Sequence, residues 1–342
     1  MRKRKVWDIV PGLFLDIRRK IGYTNLNLRN GGIFLIYTLT CNPSVDYVVR
    51  LKEFQQGMVN RAAGEQIFSG GKGINVTVIL KNLGVSNRAL GFLAGFTGDF
   101  IEQDLREQGC QTEFIRLAKG FSRINVKIKG QEESELNGGG PAVDQGAIEA
   151  LFEKINSLQK GDMLIISGSI PPSLPKDLYE KILSLLAERQ VYAVVDTAGE
   201  ALMRTLRFSP FLIKPNRQEL EELAQKRLFT REEIIAQSRR LQEMGAKNVL
   251  ISMAAEGAVL LTADGKILFG EAPRGTVQNS VGAGDSMVGG FVAGWLKTGS
   301  CREALKWGIA AGSATAFCEG LATGEEIGRL YEDGIRVTHE II

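Results

Sequence analysis

Four consecutive residues, Gly282-Ala283-Gly284-Asp285, are the part of this sequence best suited to chemistry. The apolar run that follows, at about residues 287 to 296, predicts a helix. Small residues let consecutive backbone N–H groups face one concavity, and the positive end of the helix dipole lies at the same place. The segment therefore predicts an anion hole. Beside it, the dipole would keep the Asp285 carboxylate ionised, with an ordinary pKa of about 4, as an available base. A simple N-cap aspartate is the alternative.

A second glycine-rich segment, Gly70-Gly71-Lys72, begins another predicted helix that continues through Asn75. Paired glycines allow a ligand to approach the backbone closely, and Lys72 offers a point charge for phosphate. Asn75 has the donors and the acceptor that bind sugar hydroxyls. The segment is not a P-loop, because Gln66 stands where the first glycine of that motif belongs and no hydroxyl residue follows the lysine.

A third segment, Lys214-Pro215-Asn216 with Glu219 after it, lies at the end of a predicted strand. The amide and the carboxylate could hold a hydrated Mg²⁺, since this ion keeps most of its waters and takes few protein ligands. The alternative is that Pro215 and Glu219 only initiate a helix.

Arg123 and Asn125 share one face of a predicted strand, because side chains two residues apart in a strand point the same way. An arginine there can bind a phosphate through two parallel hydrogen bonds. An ordinary solvated strand face is the alternative.

Short apolar strands alternate with helical patterns from residue 36 onward, which predicts a doubly wound α/β domain. Strands such as residues 192 to 195 and 249 to 251 are apolar on both faces, as parallel strands covered by helices must be. Residues 45–68 and 122–137 instead contain alternating polar and apolar side chains. We expect them to form a small antiparallel sheet, a lid over the carboxyl ends of the parallel strands, where ligands bind in such folds.

Composition argues against several classes of function. The 342 residues include one histidine, His339, which argues against a Ser-His-Asp site or a histidine-rich metal centre. The four cysteines are far apart, which argues against a zinc knuckle or a disulfide framework and favours a reducing cytoplasm. A net charge of +3 with interleaved signs predicts neither a nucleic-acid partner nor a membrane partner. We expect a small-molecule ligand.

Residues 1–34 differ from the rest of the chain, with a basic start and an apolar stretch broken by charged residues and proline. They are too short and too charged for a signal peptide or a membrane span. We expect an extension that is disordered or not translated, with residues 35–342 forming the folded domain.

Seven motifs occur here in the same order as in a known family. They are Thr40-Cys41-Asn42-Pro43-Ser44-Val45-Asp46, Gly70-Gly71-Lys72-Gly73-Ile74-Asn75, Arg123-Ile124-Asn125, Asn137-Gly138-Gly139-Gly140-Pro141, Ser167-Gly168-Ser169-Ile170-Pro171, Lys214-Pro215-Asn216 and Val281-Gly282-Ala283-Gly284-Asp285. Over residues 36 to 338 the chain resembles the phosphofructokinase B group of ribokinase-like carbohydrate kinases. The branch of 1-phosphofructokinases is most similar, with tagatose-6-phosphate kinases nearby.

The resemblance implies a cytoplasmic, homodimeric kinase, joined through its lid, that uses ATP and Mg²⁺ to phosphorylate a ketohexose phosphate. Asp285 would be the base, and the amides of residues 282 to 284 would stabilise the transferred phosphoryl group. The sugar-binding residues that it implies are Asp46, Gly70, Gly71, Lys72, Asn75, Arg123 and Asn125. Those implied around the nucleotide are Lys214, Asn216, Glu219, Ser252, Gly257, Gly282 and Gly284, with Asn216 and Glu219 holding Mg²⁺ through water.

Two positions depart from the family pattern. Ala254 stands where most members have a glycine that approaches ATP, and Asn279 stands where most have the aspartate linked to activation by monovalent ions.

The acceptor stays open among fructose 1-phosphate, tagatose 6-phosphate and fructose 6-phosphate, which differ in one hydroxyl or in the end that bears phosphate. We expect fructose 1-phosphate, because the segments around Arg123 and Asn137 resemble that branch. The alternatives from other classes are a non-catalytic sugar-phosphate-binding regulator and a nicotinamide-dependent dehydrogenase. The G-x-G-x-x-G fingerprint of such a dehydrogenase is incomplete in this chain, because Val76 occupies its last position. This argues against the dehydrogenase alternative.

Overall fold

The computed structural model describes residues 28–29 and 32–340, so most of the prediction about residues 1–34 lies outside the described residues. In chain order the strands are Leu28–Arg29 (β1), Gly32–Ile33 (β2), Ile36–Thr40 (β3), Ser44–Arg50 (β4), Gly64–Gly70 (β5), Arg88–Ala94 (β6), Gln111–Thr112 (β7), Ile115–Leu117 (β8), Arg123–Lys129 (β9), Glu133–Asn137 (β10), Met163–Ser167 (β11), Tyr192–Asp196 (β12), Leu212–Ile213 (β13), Asn248–Ser252 (β14), Ala258–Leu261 (β15), Ile267–Gly270 (β16) and Val337–Glu340 (β17).

The helices are Lys72–Asn82 (α1), Gly95–Glu107 (α2), Gln145–Asn156 (α3), Leu178–Leu186 (α4), Gly199–Thr205 (α5), Arg217–Ala224 (α6), Arg231–Glu243 (α7), Ala283–Thr298 (α8), Cys301–Ala316 (α9) and Gly324–Glu332 (α10). Short 3₁₀ turns occur at Leu206–Phe208 and Ala254–Glu256. Among the helices of the described residues, none has both the length and the apolar composition needed to cross a membrane.

The large sheet has a parallel centre and an antiparallel edge. Its order is β17-β16-β15-β14-β13-β12-β11-β3-β6-β7, with β8 also paired to β6. The strands from β14 to β7 run parallel, and β15 to β17 add antiparallel strands at one edge. The prediction of a doubly wound, mostly parallel sheet is confirmed.

Both faces of this sheet are buried. Within β11, Leu164 and Ile166 point into a core formed with helices α3, α4 and α7, whereas Met163 and Ile165 point into a core formed with α1, α8 and α9. Successive side chains of a strand lie on opposite faces, so a strand between two helical layers must be apolar throughout. The carboxyl ends of these strands are left as the polar edge of the domain.

The small sheet, in the order β10-β9-β4-β5, forms where the alternating pattern predicted it. Its outer pairs are antiparallel as expected, but the central strands β4 and β9 run parallel, so the sheet is mixed. The expectation of a fully antiparallel sheet is wrong on this point. The reason is topological: the chain between β4 and β9 passes through the large sheet, and such a long crossover permits parallel pairing.

The two faces of the small sheet differ in polarity. One face carries Asp46 beside Asn125 and, one row further, Lys127. The opposite face carries a row of directly paired apolar residues, one from each strand: Leu136, Val126, Tyr47 and Ile67. Leu136 is 63% exposed and Ile67 is 52% exposed, so this apolar row is uncovered.

Candidate active site

The glycine turn sets the start of helix α8. Gly282 caps the helix at φ +81°, a left-handed conformation that favours glycine, and a Cβ on it would lie 2.8 Å from Cδ2 of Leu321. Asp285 is the third residue of α8. The alternative of a simple N-cap aspartate is therefore wrong.

The first turn of α8 presents backbone donors to the site. Amides in a first turn have no acceptor within the helix, although the Ala283 N–H donates to the Ser280 carbonyl at 3.3 Å. A Cβ on Gly284 would lie 3.4 Å from Nζ of Lys214, so the ammonium group approaches the helix start closely. Backbone dipole and lysine charge thus meet at one point, which suits an anion.

Asp285 is buried but is not in apolar packing. Its carboxylate Oδ2 accepts a hydrogen bond from Nδ2 of Asn75 at 2.7 Å. Burial, and then the charge of Asp196, raise the pKa of Asp285 to about 6, against the opposing effects of Asn75, Lys72 and Lys214. The expectation of an ordinary pKa is wrong, because burial outweighs the helix dipole. The carboxylate is still mostly ionised at pH 7.

Two lysines and two further acids surround this carboxylate. Nζ of Lys214 lies 3.3 Å from Oδ1 of Asp196, and Nζ of Lys72 lies 3.9 Å from the same oxygen. Lys72 is also 3.9 Å from Oε1 of Glu219. The charge of Asp196 is the main cause that raises the pKa of Lys72, so this ammonium group stays charged.

Sequence reasoning missed Asp196. The signal was available, because Asp196 is the polar residue that ends the apolar strand β12, and the carboxyl ends of parallel strands line the ligand crevice.

Unpaired polar atoms mark the same crevice. Among the described residues, six buried side-chain atoms lack a hydrogen-bond partner, and five of them belong to Thr40, Ser167, Asp196 and Asn125. The first three residues end the neighbouring strands β3, β11 and β12. Since buried polar groups are normally paired, a polar ligand or water is the expected partner for this group of atoms.

The predicted nucleotide residues Asn216 and Glu219 form a capping box at the start of α6, so the helix-initiation alternative accounts for their backbone contacts. The Oε2 of Glu219 accepts from the Asn216 N–H at 2.8 Å, which leaves Oε1 for Lys72. Ser252 lies beside Asn216 as a parallel bridge partner.

The other predicted nucleotide residue, Gly257, has a packing reason to be glycine, since a Cβ there would lie 2.0 Å from the Gly270 carbonyl oxygen. Nearby, Ala254 adopts φ +49°, a left-handed conformation that costs an alanine free energy.

On the small sheet, Asp46 is the centre of a polar network. Its Oδ1 accepts from Oγ of Ser44 at 2.7 Å and from Nδ2 of Asn125 at 2.9 Å, and its Oδ2 lies 3.2 Å from Nζ of Lys127. A Cβ on Gly70 would lie 2.6 Å from this carboxylate, so glycine is needed for close packing. Lys127 was not predicted as a site residue, although it follows Asn125 by two positions on the same strand face.

Two cavities adjoin these groups. One of about 470 Å³ lies under the small sheet, with Asp46, Gly70 and Asn75 among its lining residues. The other, of about 370 Å³, is lined in part by Lys72. Arg123 lines neither of the two, and its Nε donates to the Asn42 carbonyl at 3.0 Å.

Gly71, the remaining predicted sugar-site residue, caps helix α1 at φ +130°, where a Cβ would lie 2.8 Å from Cγ2 of Thr40. Its backbone therefore lies at the boundary between the two sheets. Asn279, one of the two positions that depart from the family pattern, donates from Nδ2 to the Glu319 carbonyl at 2.9 Å.

A protein-only metal site is not formed within the described residues, since no group of three or more His, Cys, Asp or Glu side chains there could hold a metal ion. A cation at this site would be held mainly by ligand phosphates and water, with a carboxylate such as Glu219 as an outer partner.

The fold defines the class of protein. The solved structure of phosphofructokinase-2 from Escherichia coli in complex with substrates and products matches with a TM-score of 0.82 at 28% sequence identity, over 87% of this chain and 98% of that one. The architecture is that of a ribokinase-like sugar kinase, as the sequence predicted.

Sequence comparison then gives the family. The family described as pfkB family carbohydrate kinase matches residues 39–327, and the chain therefore belongs to it. It is 44% identical to the 1-phosphofructokinase of Bacillus subtilis (strain 168), over 89% of this chain and 99% of that protein. It is 37% identical to the D-tagatose-1-phosphate kinase of Bacillus licheniformis, over 89% of this chain and 100% of that protein. The predicted family and the prediction of a carbohydrate kinase are confirmed.

Proposed function

We propose that this protein transfers the terminal phosphoryl group of ATP to a ketohexose phosphate, and that fructose 1-phosphate, which becomes fructose 1,6-bisphosphate, is the preferred acceptor. The proposal rests mainly on one observation: a buried carboxylate, Asp285, lies at the start of helix α8, oriented by Asn75 and close to two lysines. Family membership supports the reaction, and the name of the 44% identical relative supports the acceptor.

In this reaction Asp285 is the base. As the acceptor oxygen bonds to the terminal phosphorus of ATP and the bond to ADP breaks, the proton of the acceptor hydroxyl passes to the Asp285 carboxylate. The transition state is loose and the hydroxyl loses its proton late, so a weak base suffices when it is well placed. A pKa of about 6 keeps the carboxylate ionised at neutral pH.

The charge of the transferred group is stabilised by the amides of Gly282, Ala283 and Gly284, together with the ammonium groups of Lys214 and Lys72. Donors fixed in advance around a developing charge are effective, and one such donor contributes about 3 to 4 kcal/mol in comparable sites. Closure of the small sheet as a lid excludes water, which would otherwise compete as the acceptor.

The sugar phosphate occupies the crevice between the small sheet and the large one. Asp46, Asn75 and Asn125 bind hydroxyl groups: Asp46 and Asn75 line the cavity under the small sheet, and Oδ1 of Asn125, beside Asp46, is a buried acceptor without a partner among the described residues. The backbones of Gly70 and Gly71 allow the sugar to approach. Arg123 binds its phosphate after it exchanges the Asn42 carbonyl for the ligand, whereas Lys72 stays at the transferred group, beside Asp285.

The nucleotide lies along the start of α6 and the end of β14, contacted by Lys214, Asn216, Glu219, Ser252 and Gly257. The residues present fit Mg²⁺, because Oε1 of Glu219 is not used by the capping box and can accept hydrogen bonds from water bound to the ion. Mg²⁺ would neutralise charge between the phosphates of ATP. Asn216, whose Oδ1 already caps α6, is the weaker of the two predicted partners.

The enzyme acts as a homodimer joined through the lid. The uncovered apolar row of Leu136, Val126, Tyr47 and Ile67 is the feature that supports this assembly, because exposed apolar patches commonly mark interfaces. We place the enzyme in the cytoplasm, where ATP and phosphorylated sugars are available.

Other acceptors fit the same chemistry. Fructose 6-phosphate and tagatose 6-phosphate carry their phosphate at the opposite end, and tagatose 1-phosphate, suggested by the name of one relative, differs from fructose 1-phosphate in one hydroxyl. From another class, a sugar-phosphate-binding regulator would bind without turnover.

A coupled assay of ADP release tests these proposals together. With each of the four sugar phosphates, kcat/KM is measured, and a control without sugar measures ATP hydrolysis alone. We expect turnover with fructose 1-phosphate to exceed the others at least tenfold. A better acceptor among the other three would overturn the ranking, and binding of sugar phosphate without ADP release would overturn the kinase proposal.

A further inference from the structure

We propose that Asp196 is a positioning residue for phosphoryl transfer, which fixes the ammonium groups of Lys72 and Lys214 at the start of helix α8. The inference rests on the proposed function, since that function assigns both lysines to phosphate groups. Asp196 itself was not predicted as a site residue, and it is separate from the base Asp285.

One oxygen connects two elements of the site. Lys72 comes from the start of α1 and Lys214 from the segment after β13, yet both ammonium groups lie within 4.0 Å of Oδ1 of Asp196. Asp196 is 1% exposed and Lys214 is 4% exposed, so this pairing is not screened by bulk water.

The ion pairs between Asp196 and the two lysines leave the hydrogen-bonding capacity of its carboxylate unused. Both carboxylate oxygens of Asp196 are buried and lack a hydrogen-bond partner among the described residues, although Lys214 lies at ion-pair distance. The N–H groups of Lys214 are therefore not aligned with the carboxylate, and they can turn to a phosphate at the nearby Gly284. A buried carboxylate that only balanced charge would normally be satisfied by direct hydrogen bonds.

The negative charge of Asp196 holds the two lysine ammonium groups close together. Without Asp196, two ammonium groups would face the same small volume and repel each other, so their side chains would move apart. With it, both ammonium groups remain close together before the phosphates arrive, which is the preorganisation that charge stabilisation requires.

The test is Asp196→Asn, a nearly isosteric change that removes the charge and replaces one acceptor oxygen with an N–H donor group. We expect kcat/KM to fall about 30-fold or more while the far-UV circular dichroism spectrum is retained. The matched control is Asp162→Asn, which removes a buried carboxylate at the opposite end of the neighbouring strand, where it accepts from the Leu35 and Gln159 amides. This control is expected to lower the melting temperature and leave kcat/KM within about twofold.

Two readouts separate positioning from a purely structural role. The groups that face Asp285 are Asn75 and Lys72 from α1, Lys214 after β13, and Asp196 from β12. Loss of the Asp196 charge should therefore shift the acid limb of the pH profile of kcat/KM to lower pH by about one unit. In a Lys214→Met background, Asp196→Asn should have less than about a threefold further effect, because the two residues act together.

The inference is overturned if Asp196→Asn costs the same factor with and without Lys214. It is also overturned if excess Mg²⁺ restores the rate of Asp196→Asn, since the carboxylate would then act on the metal rather than on the lysines. Each variant is compared with the wild-type enzyme on its best acceptor. A wrong acceptor ranking would therefore refute the proposed substrate and leave the test of Asp196 intact.

Discussion

At the scale of single residues, the protonation of Asp285 links activity to stability. Its pKa in the folded protein is about 6, against 3.8 for an ordinary aspartate, so the ionised form is stabilised less in the folded protein than in water. Replacement by a neutral isostere should therefore remove a cost to folding and the proposed catalytic base at the same time.

For Asp285→Asn we expect kcat to fall about a thousandfold, the usual range for loss of a general base, with KM for both substrates changed less than threefold. At pH 7 the free energy of unfolding should rise by up to about 3 kcal/mol, because a neutral amide is not penalised by burial. Steady-state kinetics and urea denaturation measure the two effects. Retention of more than a tenth of kcat would remove Asp285 from the role of base.

The same pKa predicts the pH dependence of the wild-type enzyme. Only the ionised carboxylate accepts a proton, so kcat/KM should be level above about pH 7 and fall tenfold per pH unit below about pH 6. For stability the sign is opposite: this group alone makes the fold more stable as the pH falls from about 6 to 3.8, because the folded state binds the proton more tightly. An acid limb near pH 4 would contradict the assignment.

Ala254, which replaces the usual glycine of the family, has φ +49°. Ala254→Gly should relieve the left-handed strain and stabilise the protein by about 0.5 to 1 kcal/mol, after the larger chain entropy of glycine is subtracted. The control is Ala150→Gly within helix α3, which should destabilise by about 1 kcal/mol. Equal effects of the two substitutions in denaturant titrations would refute the strain.

Residue types and spacing located much of this candidate site but not all of it. The motifs around Lys72, Asn75 and Asp285 were recognisable because their chemistry is local in sequence, and the structure brings these three together. Asp196 and Lys127 lie outside the seven family motifs. Their ion pairs, with Lys72 and with Asp46, form only in the folded chain and could not be read from sequence spacing. The raised pKa of Asp285 was unpredictable for the same reason, since burial is a property of the folded chain.

At the scale of elements, the start of helix α8 depends on one backbone conformation. Gly282→Ala would place a Cβ at φ +81° and 2.8 Å from Leu321, so we expect a loss of about 1 to 2 kcal/mol in stability and a decrease of at least tenfold in kcat. Gly299→Ala, at the other end of the same helix with φ +68°, is the matched control. It should cost similar stability in thermal unfolding but leave kcat unchanged. A similar kcat decrease in both variants would contradict a local role for Gly282.

The pattern of strands was predicted better than their pairing. Period-two alternation located β4, β5, β9 and β10 to within a few residues, because it reports which side chains face water. It carries no information on strand direction, so the parallel pairing of β4 with β9 could not be derived from it. Direction is set by the path of the intervening chain through the large sheet.

At the scale of the whole molecule, the fold class followed from strands that are apolar on both faces, since only a sheet between two helical layers buries such strands. The proposed dimer, in contrast, depends on residues exposed at the surface of the single chain. The apolar row of the small sheet is the surface that we expect a second copy of the chain to cover.

The variant Ile67→Glu/Leu136→Glu tests this assembly. Both side chains are largely exposed in the single chain, so the monomer should stay folded, whereas two charges within an apolar interface should dissociate the dimer. Light scattering after size exclusion should show the mass fall by half. Leu185→Glu on helix α4, where the side chain is 38% exposed, is the control and should remain dimeric. Unchanged mass in the double variant would exclude this face as the interface.

The interleaving of the small sheet with the large one limits how the two can be separated. The chain passes between them at four places, residues 41–43, 71, 118–122 and 138–144. Three of these connections contain a glycine with positive φ: Gly71, Gly120 and Gly140. The small sheet is thus a plate attached at four points, which can tilt only if all four connections bend together. A chimaera that borrows this plate from a relative must replace both hairpins, residues 44–70 and 123–137, because either one alone would leave the central parallel pair with mismatched partners.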